Sequence, residues 1–495
     1  MRWWLLVPAV VALAARLITG AQPIDDAYIT FRYARNLGEG LGLVYNPGEW
    51  VLGTTAPLWA ILLGSGYRLG LTDVPWFAVG LSAVFDAGSA ALLAWLSVRI
   101  GLSVRGAVLV GLAWAINPMS ITFAAGGMEA SLFVLLALGA LSLAASRRAI
   151  LAALIAGVSV FVRPEGALLC AVIVGWTWWT ARRLVLPAMA AAGAPVIAGG
   201  LVLLARYGSP LPNSVAAKQV AYQAPQPFEN AFALLFQAGL PGWSTFQLAA
   251  LPPSTSLAIA TFGFATLAFL IWRGVRRLAA ERAPWPPFAA FAACYLLFFI
   301  VAGARGVRMF PWYLVPVEPF YLLGAAAGLT YVGRLSRGWL PALLLAWQLP
   351  AIDWQQPFAS VGFGQERETV LLEAGRSLGA SVPATAVVAA PEIGALGYAS
   401  NLRILDTVGL VSPEALRYYP LPREQLVVDN AIPTRLILDE RPEWVVTLEA
   451  FAERTLDADA TFRRDYRVER VYPAWVWPST QLVVYKRIDG AASAR

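Results

Sequence analysis

Apolar runs follow one another through residues 1–352, broken by short polar stretches. The runs lie near 3–20, 75–98, 104–122, 129–146, 149–163, 165–181, 184–206, 254–272, 287–303, 311–332 and 338–352. Each approaches the length that crosses a bilayer as a helix, so the pattern predicts about eleven spans. A further apolar stretch, 57–70, is shorter. Arginines cluster between the runs: Arg2, Arg99 with Arg105, Arg147 with Arg148, Arg182 with Arg183, a group over 273–282, and Arg334 with Arg337. All of them fall on the cytoplasmic side only if 57–70 does not fully cross. That stretch is therefore expected to be re-entrant or interfacial, inside a long first outer loop of about 21–74. The first run lacks a small-residue cleavage site before residue 25 and is read as a retained helix, not a leader.

Beyond Asp353 the pattern changes. Most of the acidic residues lie there, and apolar runs shrink to strand length at 386–390, 445–448 and 482–485. Helix-like segments at about 366–379 and 413–418 alternate with them. The expected fold class is an α-helical polytopic membrane domain, 1–352, followed by a soluble α/β domain, 353–495, on the extracytoplasmic side.

Composition agrees. The chain is 58% hydrophobic with mean hydropathy +0.62. Charged residues make up 14%, against about 25% in soluble domains. The net charge of +7 belongs to loop arginines and does not point to nucleic acid. The two cysteines, Cys170 and Cys294, lie inside apolar runs and define no disulfide framework. There is no histidine, which excludes a histidine base, a Ser-His triad and histidine metal ligands. Acid–base chemistry is left to Asp, Glu, Lys or Tyr.

The unusual polar motifs gather on the predicted outer side. Asp25 and Asp26 stand at the head of a short helix just past the first span. One Asp is explained as a helix cap; the pair suits a base that takes a proton from a hydroxyl. Arg32 follows in the same helix. Glu129, after Gly126-Gly127-Met128, is either favourable helix-dipole placement or an acidic group on a cavity wall. Arg163-Pro164-Glu165 reads as a structural ion pair at a helix start. Asn213 and Lys218 lie in the loop PLPNSVAAK, where Lys218 is the only lysine before Lys486. They read either as solvated loop residues or as phosphate- or sugar-binding groups. Arg305 and Arg308 bracket the outer end of a span, against the usual loop bias. An anionic lipid phosphate accounts for them, as does pairing with Glu318 or with lipid headgroups. Asp86 is the main charge in the middle of an apolar run.

These motifs resemble those of GT-C integral-membrane glycosyltransferases, of the branch that includes the mycobacterial arabinofuranosyltransferases. Asp25 through Glu49 follow that branch's DDAYI and R-Y-A-R-N-L…N-P-G-E pattern. GGMEAS at 126–131, PLPNSVAAK at 210–218 and GALGYASNLRILDTVGLVSPE at 394–414 follow three more segments in order. Leu52-Gly53-Thr54-Thr55-Ala56-Pro57 departs from the E-G-Y-T-S-P common in relatives. The resemblance implies a polyprenyl-phosphate-linked sugar donor and a glycan, lipid or protein acceptor at the outer face of the membrane. No cofactor is implied, although a divalent cation among Asp25, Asp26 and Glu129 stays open. With this resemblance, Asp25 and Asp26 become the catalytic carboxylates. Arg32, Asn213, Lys218, Arg305 and Arg308 become the donor phosphate or sugar ligands, and Glu129 an acidic cavity group. The alternatives are a transporter or flippase of a lipid-linked sugar, and a non-catalytic scaffold whose C-terminal domain binds glycan.

Overall fold

In a computed structural model the chain is described over residues 3–222, 252–280, 285–332, 339–353, 359–360, 365–427, 430–476 and 478–488. The helices, in order, are α1 (Leu6–Thr19), α2 (Asp25–Gly38), α3 (Pro57–Arg68), α4 (Val74–Arg99), α5 (Val104–Ala115), α6 (Pro118–Ala125), α7 (Ala130–Ala145), α8 (Ala149–Ser159), α9 (Gly166–Thr180), α10 (Val185–Tyr207) and α11 (Asn213–Val220). They continue as α12 (Pro253–Ala280), α13 (Pro286–Ala304), α14 (Glu318–Val332), α15 (Ala342–Gln348), α16 (Glu366–Ser381) and α17 (Gly394–Ser400).

Every apolar run read from the sequence contains helix. Among the described residues, four helices are long and apolar enough to cross a membrane: Val74–Arg99, Arg182–Tyr207, Ser254–Ala280 and Pro286–Ala304. The α5–α6 pair, bent by 44°, makes a fifth candidate. The break falls at Ile116-Asn117, where Asn117 caps α6 through a bond from the Ser120 amide (2.8 Å) and Pro118 opens the helix. The chain is a multi-pass membrane protein, but several predicted spans are shorter apolar helices of 10–17 residues. Helix α3 has 12 residues and so reaches only about 18 Å, too short for a hydrocarbon core of about 30 Å.

The chain packs as two compact units. One comprises Met1–Gln22, Pro75–Gly200 and Gln226–Phe363; the other comprises Pro23–Val74, Leu201–Pro225 and Gly364–Arg495. The expected division at residue 352 follows the order of the chain. By packing, the first loop and the 201–225 stretch belong with the C-terminal segment.

The first unit holds most of the apolar helices. It also contains a two-residue antiparallel pairing of β1 (Ile352–Asp353) with β2 (Ala359–Ser360). Its interior has a charge pair absent from the sequence reading. The Arg16 Nε of α1 donates to Asp86 Oδ2 of α4 at 2.9 Å, and both side chains are wholly buried. Ser120 and Ser131 also donate to that oxygen, at 3.2 and 3.0 Å. Asp86 is thus the partner of a second charge inside the first apolar run, as ionisable groups in a membrane interior require.

The second unit contains a five-stranded sheet in the order β4-β3-β5-β7-β6. The strands are β3 (Val387–Ala390), β4 (Arg403–Asp406), β5 (Trp444–Leu448), β6 (Tyr466–Val476) and β7 (Ser479–Arg487). β3 runs parallel to β4 and β5, while β7 is antiparallel to β5 and β6. β5 is buried along its whole length, which suits the continuous apolar run Trp444-Val445-Val446. Its core gathers Ile432, Leu436, Val445, Phe462 and Tyr485. The α/β character expected from the sequence is present. β6 was not foreseen, and 413–418 is a 3-10 helix.

Candidate functional site

Helix α2 opens with Asp25 and Asp26 in its first turn, where two carboxylates face the positive end of the helix dipole. The Asp25 carboxylate does not cap its own helix. It accepts from the amides of Gly394 (3.1 Å) and Ala395 (2.8 Å), which open α17. The Asp25 amide in turn donates to Glu368 Oε1 of α16 at 3.1 Å. Burial pushes the Asp25 carboxyl up to about 6, against the pull of the Arg367 guanidinium and the Ala395 amide. Asp26 is half-buried, and among the described residues its side chain makes no hydrogen bond or ion pair. Its charge and that of Asp406, after burial, help push the Tyr222 phenol up.

Gly394 and Gly397 both lie within helix α17, and their role is close approach. A Cβ at Gly394 would collide with the Asp25 carbonyl oxygen, and one at Gly397 with the Tyr45 hydroxyl. Only glycine lets α17 come near enough to offer its first amides to Asp25.

Arg32 is the clearest change of role. Expected to bind donor phosphate, it is wholly buried. Its Nε donates to Tyr45 O at 2.8 Å, Nη1 to Gly397 O at 2.8 Å, and Nη2 to Leu402 O at 2.6 Å and Asn46 Oδ1 at 3.3 Å. Its guanidinium also lies 4.2 Å from the centre of the Tyr45 ring. With all three guanidinium nitrogens hydrogen-bonded and no exposed surface, Arg32 bolts α2 to the 397–402 segment. Asn46 extends the seam, exchanging bonds with both backbone groups of Ile404 at 2.9 and 3.0 Å. Arg403 closes it at the rim with Glu49 at 2.6 Å.

Asn213, at the start of α11, also works as a bolt here. Its Nδ2 donates to Gly409 O (2.6 Å) and Leu410 O (3.1 Å), and its amide to Leu52 O (2.8 Å). The turn it grips is organised by Asp406, which is wholly buried and accepts from the Val408 and Val411 amides, both at 2.9 Å. Burial pushes the Asp406 carboxyl up to about 6. Lys218 lies half-buried in α11.

Glu129, Arg305 and Arg308 belong to the other unit. Glu129 pairs with Arg163 (2.7 Å), which also holds Glu165 (3.0 Å), all three nearly buried. Arg305 is exposed after α13. Arg308 is half-buried with its guanidinium 5.7 Å from the centre of the Phe310 ring. Glu318 accepts from Asn117 at 2.6 Å. Within one unit, then, the structure gathers Asp25, Asp26, Arg32, Asn213 and Lys218; within the other lie Glu129, Arg305 and Arg308. Sequence reasoning missed Glu368, Arg367 and Glu392. The signal was an acidic start to a helix and a Pro-Glu before a Gly-rich helix, neither of which specifies chemistry. Among the described residues, no group of three or more acidic or cysteine side chains converges to hold a metal ion.

Comparison with known proteins places this architecture. Its fold is similar to that of ArnT from Cupriavidus metallidurans. The apo form aligns with TM-score 0.59 at 14% identity, covering 99% of both chains. The form bound to undecaprenyl phosphate aligns with TM-score 0.58, covering 99% of this chain and 98% of that one. Over 223 residues the chain is 32% identical to the terminal β-(1→2)-arabinofuranosyltransferase of Mycobacterium tuberculosis. That alignment takes in 40% of this chain and 35% of the relative, so it spans about a third of the relative's length. Residues 359–486 match a domain of unknown function (DUF8728). The likeness to ArnT is thus one of fold, and the likeness to the mycobacterial arabinofuranosyltransferase is one of sequence over part of each chain.

Proposed function

We propose that the protein is a membrane glycosyltransferase that moves a sugar from a polyprenyl-phosphate donor to an acceptor hydroxyl at the outer face of the membrane. The observation that carries the reading is the Asp25 carboxylate. It is buried, aimed by two amides of α17, and pushed up to about 6, a range suited to a base working near neutral pH. Two supports stand beside it. ArnT shares the fold and was solved with undecaprenyl phosphate. The mycobacterial relative is named as an arabinofuranosyltransferase.

In the proposed reaction Asp25 takes the proton from the acceptor hydroxyl, and that oxygen bonds to the anomeric carbon. The bond from the anomeric carbon to the phosphate oxygen breaks, and its electron pair leaves with polyprenyl phosphate. Asp26, beside the base, orients the site or shares the proton. Lys218, in the same unit as Asp25, is the cation for the departing phosphate, whose charge it stabilises. Such a leaving group needs little acid help, which suits a chain without histidine. A direct displacement inverts the anomeric centre. The rival transporter reading drew on Asp86, which is buried and paired with Arg16.

Single-turnover transfer, with the product's anomeric configuration read by NMR, tests the chemistry. Wild type is expected to invert, and Asp25→Ala to give no product while still binding donor. Retained configuration would overturn the direct displacement. Wild-type rates from Asp25→Ala would remove the base.

A further inference from the structure

The C-terminal segment does more at Asp25 than supply two amides. Arg367, in the first turn of α16, reaches Glu368 Oε1 with Nη2 at 2.7 Å and Glu392 Oε1 with Nη1 at 3.4 Å. Glu368 is buried, and the same Oε1 accepts the Asp25 amide. One oxygen therefore joins the guanidinium to the start of α2. Glu392 stands two residues before Gly394, whose amide holds the Asp25 carboxylate. Its other oxygen, Oε2, is buried with no hydrogen-bond partner among the described residues. Three carboxylates thus share the attention of one guanidinium, and like charges so placed disfavour ionisation of each.

We infer that Arg367 is a positioning residue of the transfer site: through Glu368 it fixes the start of α2, and it supplies the positive charge that the Asp25 carboxylate faces. The inference rests on Asp25 being the base. It gives the segment matched only as a domain of unknown function a definite part in the reaction. The groups facing Asp25 are Asp26 and Tyr28 from α2, Tyr45 and Tyr222, Arg367 and Glu368 from α16, and Glu392 ahead of α17. Arg367 is the largest of the charges that favour ionised Asp25, and it opposes the effect of burial. Glu392 is itself pushed up to about 7, by burial first and then against the pull of Arg367, with Asp25 adding to the rise. The Arg367 side chain is 37% exposed, so solvent can reach the nest from that side.

The sign of each charge makes the test two-sided. Removing the guanidinium leaves Asp25 protonated to a higher pH, so activity is lost earlier as pH falls. Removing the Glu392 charge relieves Asp25 and frees Arg367 to act on it, which moves the loss to lower pH. The experiment is the pH profile of kcat/KM for wild type, Arg367→Gln, Arg367→Lys and Glu392→Gln. In parallel, infrared titration follows the protonated-carboxyl band that Asp25→Asn removes. The expected result is an acid limb raised by about 1 pH unit in Arg367→Gln, restored toward wild type in Arg367→Lys, and lowered in Glu392→Gln. If Arg367→Gln does not fold, Arg367→Lys and Glu392→Gln still carry the comparison. A uniform loss of rate with unmoved limbs, or both variants shifting the same way, overturns the inference and leaves Arg367 as a structural contact. A wild type that transfers no sugar removes the functional reading instead, and the infrared midpoints then decide the electrostatic claim alone.

Discussion

At the scale of single residues, the account turns on where charges find partners. Asp25 rises to about 6 because burial opposes its ionised form, so the base is ready above that pH and protonated below it. Transfer should therefore fall as the pH drops through about 6, measured as kcat/KM across a buffer series. A profile that is flat from about pH 5 to about pH 8 would contradict the assignment. Arg16 and Asp86 make a second residue-scale test. Breaking a buried pair leaves one charge stranded, at a cost of about 3–5 kcal/mol. Asp86→Leu should lower the melting temperature in detergent sharply, and Arg16→Met added to it should recover much of the loss. Equal melting of all three proteins would deny the pair its structural role. The sequence displayed Asp86 openly as a charge in an apolar run. Arg16 lay just as openly in the first run, but nothing in a linear pattern joins two helices 70 residues apart. Arg32 and Asn213 were legible as important, but the backbone groups each of them holds were not. A polar side chain in a motif looks the same in sequence whether it faces a substrate or a row of backbone carbonyls. Only burial and occupied donors tell them apart.

At the scale of elements, the site depends on the fit of α17 against the start of α2. Both Gly394 and Gly397 face atoms of the first loop too closely for a side chain. Gly394→Ala should therefore push α17 away from Asp25, costing about 1–3 kcal/mol and most of the transfer activity. Thermal melting and transfer assays on the same preparation check both. An alanine variant with unchanged melting and rate would show that the contact is dispensable. The glycines were visible in the sequence, but glycine serves turns and close approaches alike, and the helical register of 394–400 was needed to choose between them. The stretch 57–70 holds a helix of 12 residues, as its short apolar run suggested. Helix α3 stays too short to cross, with Trp59 and Leu63 buried. Span counting fared less well. Apolar runs mark helices dependably, but breaks such as Asn117-Pro118 and the short helices α8 and α9 decide how many are long enough to cross.

At the scale of the whole chain, the motifs that carry the resemblance turn out to serve one another. The 25–49 stretch and the 394–414 stretch lie far apart in sequence and meet in one unit through Arg32, Tyr45, Asn46 and Asp25. The α/β character of the C-terminal segment was legible from its short apolar runs. Its share in the candidate site was not, because hydropathy separates membrane from soluble chain and says nothing of which loop a soluble domain holds. The likeness in fold to ArnT covers nearly the whole chain, both ends of the sequence included. Removing Gly364–Arg495 should abolish transfer, since the amides that hold Asp25 go with it; transfer by the truncated membrane protein would contradict that dependence. The central claim is tested most directly with protein in nanodiscs and a panel of radiolabelled polyprenyl-phosphate sugars, comparing wild type with Asp25→Ala. The account predicts that wild type releases sugar from at least one donor and that Asp25→Ala releases none. No turnover of any donor, with labelled lipid crossing the bilayer instead, would contradict it and favour a transporter.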